Sequence, residues 1–190
     1  NTSGEYFCIS CEAGLSSKVA RLDSGIIFRT LSQQNPAMMR AISGWKDKHL
    51  KQLTYKFSDL LVQAEPMLTT NLPFQIVVPP LRMEAFANRG FNPMEDLARS
   101  LKSRNPKLVY DPQSITFLRQ PRDQRGLSPQ DRQTNVSGAF KVNLRNNIPI
   151  LLLYDVWTTG STLKEIISIL PARTDVVGVC VLSTAYKIRP

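Results

Sequence analysis

The stretch ILLLYDVWTTGST, residues 150–162, carries the groups of this chain that are best suited to bind an anion. An apolar, buried-looking strand ends in one acid, Asp155, and the following loop places four hydroxyl side chains around a glycine: Thr158, Thr159, Gly160, Ser161 and Thr162. A helix opens directly after them, so its unpaired amides and the positive end of its dipole can hold a phosphate, with the hydroxyls as further donors. The stretch therefore predicts a phosphate cradle.

Two residues of the same stretch suggest what is attached to the phosphate. Gly160 lets the backbone approach an anion without a Cβ in the way. Asp155 is placed to accept hydrogen bonds from the hydroxyls of a sugar. A simpler interpretation is that serine and threonine only cap the helix. One residue is enough for a cap, whereas four surround the glycine here, so a ribose-phosphate site is the favoured interpretation.

Length and charge agree with this interpretation. The chain has 190 residues, 42% of them hydrophobic, which is enough for one domain with a real core. Lysine and arginine number 24 against 15 acids, a net charge of +9 that favours free phosphates, nucleotides or a nucleic-acid backbone as partners. No apolar run approaches the roughly 20 residues that cross a bilayer, and the N-terminus lacks a signal-peptide pattern. We expect a cytoplasmic protein without membrane insertion. The start of the chain at Asn1 suggests trimming or processing.

The cysteines do not predict a metal site. Three cysteines cannot form a disulfide framework, and Cys180 lies in an apolar run where it is expected to be buried. Cys8 and Cys11 form one CISC pair, but a structural zinc site needs four ligands and no second pair is visible. His49 lies in a helical pattern, where we expect a solvated or capping role. Zinc is therefore not expected in this chain.

Strands alternate with helices along the chain, and the strands read as continuous apolar runs, which is typical of a parallel sheet covered on both faces. Helical spacing extends from Asn35 to about Leu68, with a Met and Trp stripe that we expect to pack in the core. The later segments are a strand FQIVV, a polar link, a helix NPMEDLARSLKSRN, strands QSITFL, AFKVN and IPILLLYDV, a helix STLKEIISIL and a strand DVVGVCVLST. A weakly patterned N-terminal segment, residues 1–30, precedes a domain of residues 31–190.

Several separated motifs resemble one family. LLYDVWTTGSTL is similar to the phosphoribosyl-pyrophosphate motif of type I phosphoribosyltransferases. VVPPLRMEAFANRGFN and LRQPRDQRGLSPQDRQTNVSGAF narrow the resemblance to the ComF family, which is related to the amidophosphoribosyltransferases. GWKDKHLKQL resembles the lysine-containing helix of that family, with Lys46 at the matching place. The resemblance covers about residues 35–185, with the motifs in the right order.

The resemblance implies a type I phosphoribosyltransferase-like fold: a twisted, mostly parallel sheet flanked by helices, with a short N-terminal appendage. It implies that residues 158–162 bind the 5′-phosphate, that Asp155 touches the ribose hydroxyls and that the loop from Pro79 to Arg82 faces the pyrophosphate. Arg89, in the Arg-Gly-Phe-Asn signature, is a further candidate ligand. The loop from Arg119 to Arg132 corresponds to the flexible lid of related enzymes, and its arginines suit a polyphosphate; the alternative is a solvated surface turn. Magnesium is expected to accompany the diphosphate.

Two departures from the family pattern matter. The motif usually opens with two acids, but Tyr154 stands in the first position and leaves Asp155 alone. Adjacent strand residues face opposite ways, so Asp155 does not replace the missing acid, and ribose binding or turnover should be weaker. At the N-terminus, many relatives resemble a four-cysteine zinc ribbon, of which this chain shows half. The other pair was lost with the missing start, or the ribbon is a remnant.

Three functions agree with these features. The first is binding of phosphoribosyl pyrophosphate or a related ribose phosphate, linked to DNA uptake in natural competence, with or without phosphoribosyl transfer; no catalytic residue is identified. The second is single-stranded nucleic-acid binding by a chain with a degenerate, non-catalytic site, in which Trp45, Trp157 or Phe91 stacks on bases. For Trp157, an equally favoured interpretation is that its ring covers the core. The third is a sensor whose ligand rearranges the loop from Arg119 to Arg132. The acceptor and the oligomeric state are not predicted.

Overall fold

The computed structural model describes residues 15–124, 126–144 and 148–185. The CISC pair, and with it the predicted remnant of a zinc ribbon, lies outside them. The described strands are β1 (Lys18–Arg21), β2 (Ile27–Thr30), β3 (Phe74–Val77), β4 (Leu108–Tyr110), β5 (Ile115–Phe117), β6 (Phe140–Val142), β7 (Ile150–Trp157) and β8 (Val176–Thr184). The described helices are α1 (Pro36–Asp47), α2 (Leu53–Ala64), α3 (Met83–Arg89), α4 (Pro93–Arg104), α5 (Pro129–Val136) and α6 (Ser161–Ser168), with a 3-10 turn at Pro66–Thr69.

The central sheet has six strands in the order β1-β2-β8-β7-β3-β4. Every neighbouring pair from β2 to β4 is parallel, and only β1 runs antiparallel to its neighbour β2. Parallel neighbours need a crossover, and the helices that supply the crossovers cover both faces of the sheet. The predicted α/β fold with a mostly parallel sheet flanked by helices is therefore confirmed.

Side chains of the central strand β7 alternate between the two faces of the sheet and so pack in two separate cores. Leu151 and Leu153 pack in a cluster with buried residues of α1, α2 and α4. Ile150 and Leu152 point the other way, into a cluster with α5, α6 and the β5–β6 hairpin. Successive strand side chains face opposite sides of a sheet, so each residue of β7 belongs to one layer only.

The helical region that begins at Asn35 is two helices and a 3-10 turn. Asn35 caps α1, because its side chain accepts a hydrogen bond from the Met38 amide at 3.0 Å and Pro36 occupies the first turn. His49 has a positive φ of 57°, which ends helical geometry between α1 and α2. The prediction that His49 lies within a helix is wrong, because its left-handed backbone interrupts the apolar stripe that continues on α2.

The predicted packing role of the Met and Trp stripe agrees with the structure at Met38 and Trp45, but it is wrong for Met39, which is 39% exposed and lines a surface cleft. Met38 and Trp45 are both 0% exposed. The Trp45 indole donates to Thr54 Oγ1 at 2.9 Å and meets the Phe57 ring edge-on at 5.1 Å. A buried indole with its N–H satisfied is a large contribution to the α1–α2 contact.

Some elements differ from the sequence prediction. The polar link after β3 contains α3, which has no buried residue and hence no apolar periodicity, and the three-residue strand β4 was not predicted. Strands β5 and β6 were predicted, but they pair with each other in a separate antiparallel hairpin. Residues 18–30, within the weakly patterned N-terminal segment, supply β1 and β2 to the central sheet, with Phe28 paired to Val179.

Among the described residues, no helix combines the length and the apolar character that a membrane span requires.

Trp45→Ala should lower the free energy of unfolding by about 3–5 kcal/mol, because it opens a large cavity and removes the bond to Thr54. Tyr55→Ala, on the next helix at a side chain that is 66% exposed, should change it by less than about 0.5 kcal/mol. Urea unfolding followed by circular dichroism measures both. Equal effects of the two variants would contradict a core position for Trp45.

Candidate functional site

A cleft lies at the edge of the sheet where β3 and β7 end. The two strands are parallel neighbours in a register that pairs Val77 with Leu152, so the loops after them leave the same edge. In open α/β sheets this edge is where ligands bind. The cleft has a volume of about 460 Å³ and is bordered by the loops after β3 and β7, by α1 and α3, and by the segment before α5.

The cleft brings together most of the predicted ligand-binding residues. Its lining includes Pro79, Arg82, Arg89, Arg132, Asp155, Thr158 and Thr162. Thr159, Gly160, Ser161 and Arg119 are not part of that lining. Motifs that are far apart in the sequence therefore meet at one place, although the loop after β7 contributes only two of its hydroxyls.

Tyr154 and Asp155 lie on opposite faces of β7. Asp155 is 8% exposed, and its carboxylate pairs with the ammonium of Lys46 at the end of α1. Tyr154 packs on the other side, where its phenol is hydrogen-bonded with Thr162. Burial raises the pKa of Tyr154, so this side chain is a neutral phenol at physiological pH. A polar but uncharged group thus stands where the family motif has its first acid.

Lys46 belongs to the site, a position that the residue candidates from the sequence did not include. It lines the cleft, and its side chain is 20% exposed. The family resemblance had marked Lys46 by its place in GWKDKHLKQL, which was the available signal. Local spacing could not reveal its partner, because the contact joins the end of α1 to the end of β7 and exists only in the folded sheet.

Each acid that lines the cleft has a basic partner. Besides the pair of Lys46 with Asp155, the ion pairs are Arg89 with Asp47 at 3.1 Å and Arg82 with Asp123 at 3.2 Å. Four basic side chains, Arg132 being the fourth, face three acids in the lining. The cleft is therefore slightly positive, with its carboxylates compensated.

The lining does not fit a magnesium ion held by the protein. Divalent magnesium needs carboxylate or carbonyl oxygens in octahedral geometry, and usually keeps several waters. The carboxylates of the cleft are instead paired with lysine and arginine, and across the described ranges no group of three or more His, Cys, Asp or Glu side chains could hold a metal. A magnesium ion that accompanies a diphosphate would be held by the ligand's own oxygens.

The segment between β5 and β6 covers the hydroxyls of the loop after β7. Gln124 donates to Thr162 Oγ1 at 3.1 Å, and Arg132 Nη1 donates to Thr158 Oγ1 at 3.1 Å. Arg132 Nε is buried and has no hydrogen-bond partner among the residues that the structure describes. A buried donor without a partner is costly, and an anion in the cleft would satisfy it. Arg132 and Thr158 are thus the pair best placed to receive a phosphate.

Within this segment, α5 anchors the residues that precede it. Ser128 caps this helix by accepting from the Asp131 amide at 3.2 Å. The Asn135 side chain donates to the Arg122 carbonyl and accepts from the Arg122 amide, both at 2.9 Å. Arg119 is exposed and donates to the Ser137 carbonyl at 2.6 Å, which leaves it outside the cleft.

Gly160 has a structural reason to be glycine that differs from the predicted one. Its φ is +73°, and a Cβ built there would overlap the indole of Trp157. Trp157 is 3% exposed and meets Phe28 edge-on at 5.1 Å, so it covers the core. Thr159 and Ser161 bond each other at 2.8 Å at the start of α6. The Trp157 ring thus fills the space that a side chain at residue 160 would need, and the approach of an anion to the Gly160 backbone stays a prediction.

The aromatics proposed to stack on bases are buried. Trp45 is 0%, Trp157 3% and Phe91 5% exposed, so none of them presents a ring face to a nucleic acid, and that part of the nucleic-acid hypothesis is corrected. Phe86 on α3 is 52% exposed instead. Its helix neighbours Ala85 and Arg89 line the cleft, so the helix that carries this exposed ring borders the cleft.

Gly160→Ala should lower the free energy of unfolding by about 2–5 kcal/mol, which combines the cost of a left-handed alanine with overpacking against Trp157. Gly90→Ala should cost only about 1–2 kcal/mol, because Gly90 has a similar φ of +69° but no atom within 4 Å of an added Cβ. Chemical unfolding of both variants separates the two terms. A Gly160 variant as stable as the Gly90 variant would show that the indole does not fill this space.

Comparison with known proteins identifies relatives. The chain is 34% identical over 131 residues to Competence protein F of Haemophilus influenzae, and the match covers 66% of this chain and 55% of that protein. It is 30% identical over 146 residues to DNA utilization protein YhgH of Escherichia coli (strain K12), covering 74% of this chain and 64% of that protein. Competence protein ComFC of Streptococcus pneumoniae is 25% identical over 174 residues, covering 86% and 73%.

No family model matches the chain. The match spans less than two thirds of the length of the YhgH relatives and of Competence protein F. The agreement of these relatives with the motif order and with the mostly parallel sheet confirms the resemblance inferred from the sequence. The chain belongs to the ComF family.

Proposed function

We propose that this chain binds phosphoribosyl pyrophosphate, or a related ribose phosphate, in the cleft between β3 and β7, and that this binding serves DNA uptake or use in natural competence. The observation that carries the proposal is the meeting of Thr158, Thr162 and the buried Arg132 Nε at the carboxyl edge of the sheet. The names of the relatives, a competence protein and a DNA utilization protein, support the biological context.

Different residues of the cleft would contact different parts of the ligand. The hydroxyls of Thr158 and Thr162 and the guanidinium of Arg132 receive the 5′-phosphate, since charge-assisted bonds to phosphate oxygens are strong. Asp155 accepts from the ribose hydroxyls. The loop from Pro79 to Arg82 also lines the cleft, and a diphosphate would extend toward it. Magnesium carried by that diphosphate would neutralise part of its charge.

Transfer of the phosphoribosyl group is a proposal of the same kind. A nitrogen nucleophile would form a bond to the anomeric carbon while the bond to the pyrophosphate oxygen breaks. Such a reaction depends on orientation of the leaving group and on stabilisation of charge, with no protein nucleophile. The neutral Tyr154 leaves one acid beside the ribose, so we expect slow turnover and treat binding as the primary activity.

Ligand binding should also rearrange the segment between β5 and β6. Gln124 and Arg132 already contact the hydroxyls that would receive a phosphate. A phosphate can enter only if these side chains shift to bond it. This exchange gives the sensor function a physical route, because occupancy of the cleft would change the surface formed by residues 119–124 and 126–132.

Single-stranded nucleic-acid binding is the second candidate, and the exposed ring of Phe86, on a helix that borders the cleft, is the observation that favours it. Stacking on an aromatic ring is tolerant of sequence, and the net charge of +9 attracts a phosphate backbone. The two candidates are compatible on one chain.

The first test is calorimetric titration of phosphoribosyl pyrophosphate, with magnesium, into the parent and into Arg132→Gln. Loss of a charged donor to phosphate should weaken binding by about tenfold or more. Arg99→Gln is the matched control, since this arginine pairs with Glu95 on α4 and does not line the cleft; it should change affinity by less than about twofold. Absence of saturable binding by the parent would refute the ribose-phosphate proposal.

The second test measures the affinity for oligothymidylate by fluorescence anisotropy. Phe86→Ala should weaken binding by about fivefold or more if a base stacks on this ring. Leu72→Ala is the control, because Leu72 is 67% exposed but lies before β3, at the opposite edge of the sheet. Affinity should also fall steeply with salt. Equal affinities of the two variants would exclude stacking at Phe86.

A further inference from the structure

The pair formed by Lys46 and Asp155 stands out among the ion pairs of the cleft by its burial. The two side chains are 20% and 11% exposed, whereas Asp47 and Asp123 are 52% and 42% exposed in their pairs with arginine. Both members line the cleft. A buried carboxylate needs a compensating charge, and here an ammonium from α1 supplies it.

A ribose-phosphate site faces an electrostatic conflict. An acid must lie near the sugar to accept from its hydroxyls, and the same acid repels the phosphate groups of the ligand. A divalent cation bound to the acid would remove this conflict, but the cleft lacks a second acid at Tyr154, and burial keeps that phenol neutral. The ammonium of Lys46 occupies the position beside Asp155 where a cation is needed.

An ammonium suits this place chemically. It has three donor hydrogens and no acceptor, so it can donate to Asp155 and to an oxygen of the ligand at once. Its charge is compact, and its position is fixed by the last turn of α1 on one side and by the carboxylate on the other. Both oxygens of Asp155 have partners on this chain, since the Val156 amide donates to Oδ1 and Lys46 contacts Oδ2. The carboxylate is thereby held in one orientation.

We propose that Lys46 is a specificity-determining residue of the cleft: its ammonium supplies at Asp155 the charge that a divalent cation would otherwise supply, and it contacts the ribose end of the ligand. The site therefore takes a ribose monophosphate without a metal ion on a protein carboxylate. This inference rests on the proposed function and adds the identity of the group that compensates the negative charge of Asp155.

The experiment is calorimetric titration of ribose 5-phosphate, which has no diphosphate to carry magnesium, in EDTA and in millimolar magnesium. The parent should bind equally well in both buffers, within about twofold. Lys46→Met in EDTA should bind about tenfold or more weakly, because a charged donor is lost and Asp155 then repels the phosphate. Lys46→Arg keeps the charge and should stay within about threefold of the parent.

Magnesium supplies a readout that a merely structural role of Lys46 would not move. In Lys46→Met, magnesium should restore part of the affinity, because the uncompensated Asp155 becomes an oxygen ligand for the ion. In the double variant Lys46→Met, Asp155→Asn, magnesium should restore nothing. The double variant also removes the unpaired buried charge, so it shows whether loss of stability explains the single variant.

Two outcomes would overturn the inference and leave the proposed function standing. The first is a loss of about tenfold or more in the affinity of the parent for ribose 5-phosphate in EDTA. The second is an affinity of Lys46→Met equal to that of the parent. If Lys46→Met does not fold, the comparison of the parent in the two buffers, together with Lys46→Arg, still decides. If the parent binds neither ribose 5-phosphate nor phosphoribosyl pyrophosphate in either buffer, the proposed function fails and the inference fails with it.

Discussion

The parallel pairing of β7 between β8 and β3 is the constraint on which the rest of the structure depends. It places the carboxyl ends of β3 and β7 side by side, so two loops from distant parts of the chain border one cleft. It also fixes the two faces of β7. Because neighbouring residues of a strand alternate, Asp155 is directed to the layer of α1 and Tyr154 to the layer of α5 and α6. The site follows from this alternation.

Charge compensation is the second theme of the cleft. Three acids meet basic partners from other elements, and the arginine without an acid in the cleft, Arg132, lies against a hydroxyl of the loop after β7. Such a lining attracts an anion although its own net positive charge is small. Since the pairs join α1, α3, the loop after β3, the segment before α5 and β7, they also tie together the elements that border the cleft.

The loop after β7 shows how one motif is divided between core packing and the lining of the cleft. Gly160 and Trp157 serve the core, because the indole occupies the space beside the glycine. Thr159 and Ser161 bond each other at the start of α6. Thr158 and Thr162 remain to face the cleft. Of the five polar or small residues of this motif, two therefore line the cleft, and the distinction depends on the direction in which each side chain leaves the backbone.

The sequence by itself determined the fold class and the family, because continuous apolar runs and the order of several motifs are local properties of the chain. It also predicted that Tyr154 and Asp155 would not be equivalent, since alternation along a strand is universal. Tertiary structure decided the rest. The pairing of Lys46 with Asp155, the burial of Trp45, Trp157 and Phe91, the exposure of Phe86 and the position of Arg119 outside the cleft all depend on contacts between residues far apart in the chain. Such contacts exist only once the sheet has formed, and spacing along the sequence has no information about them.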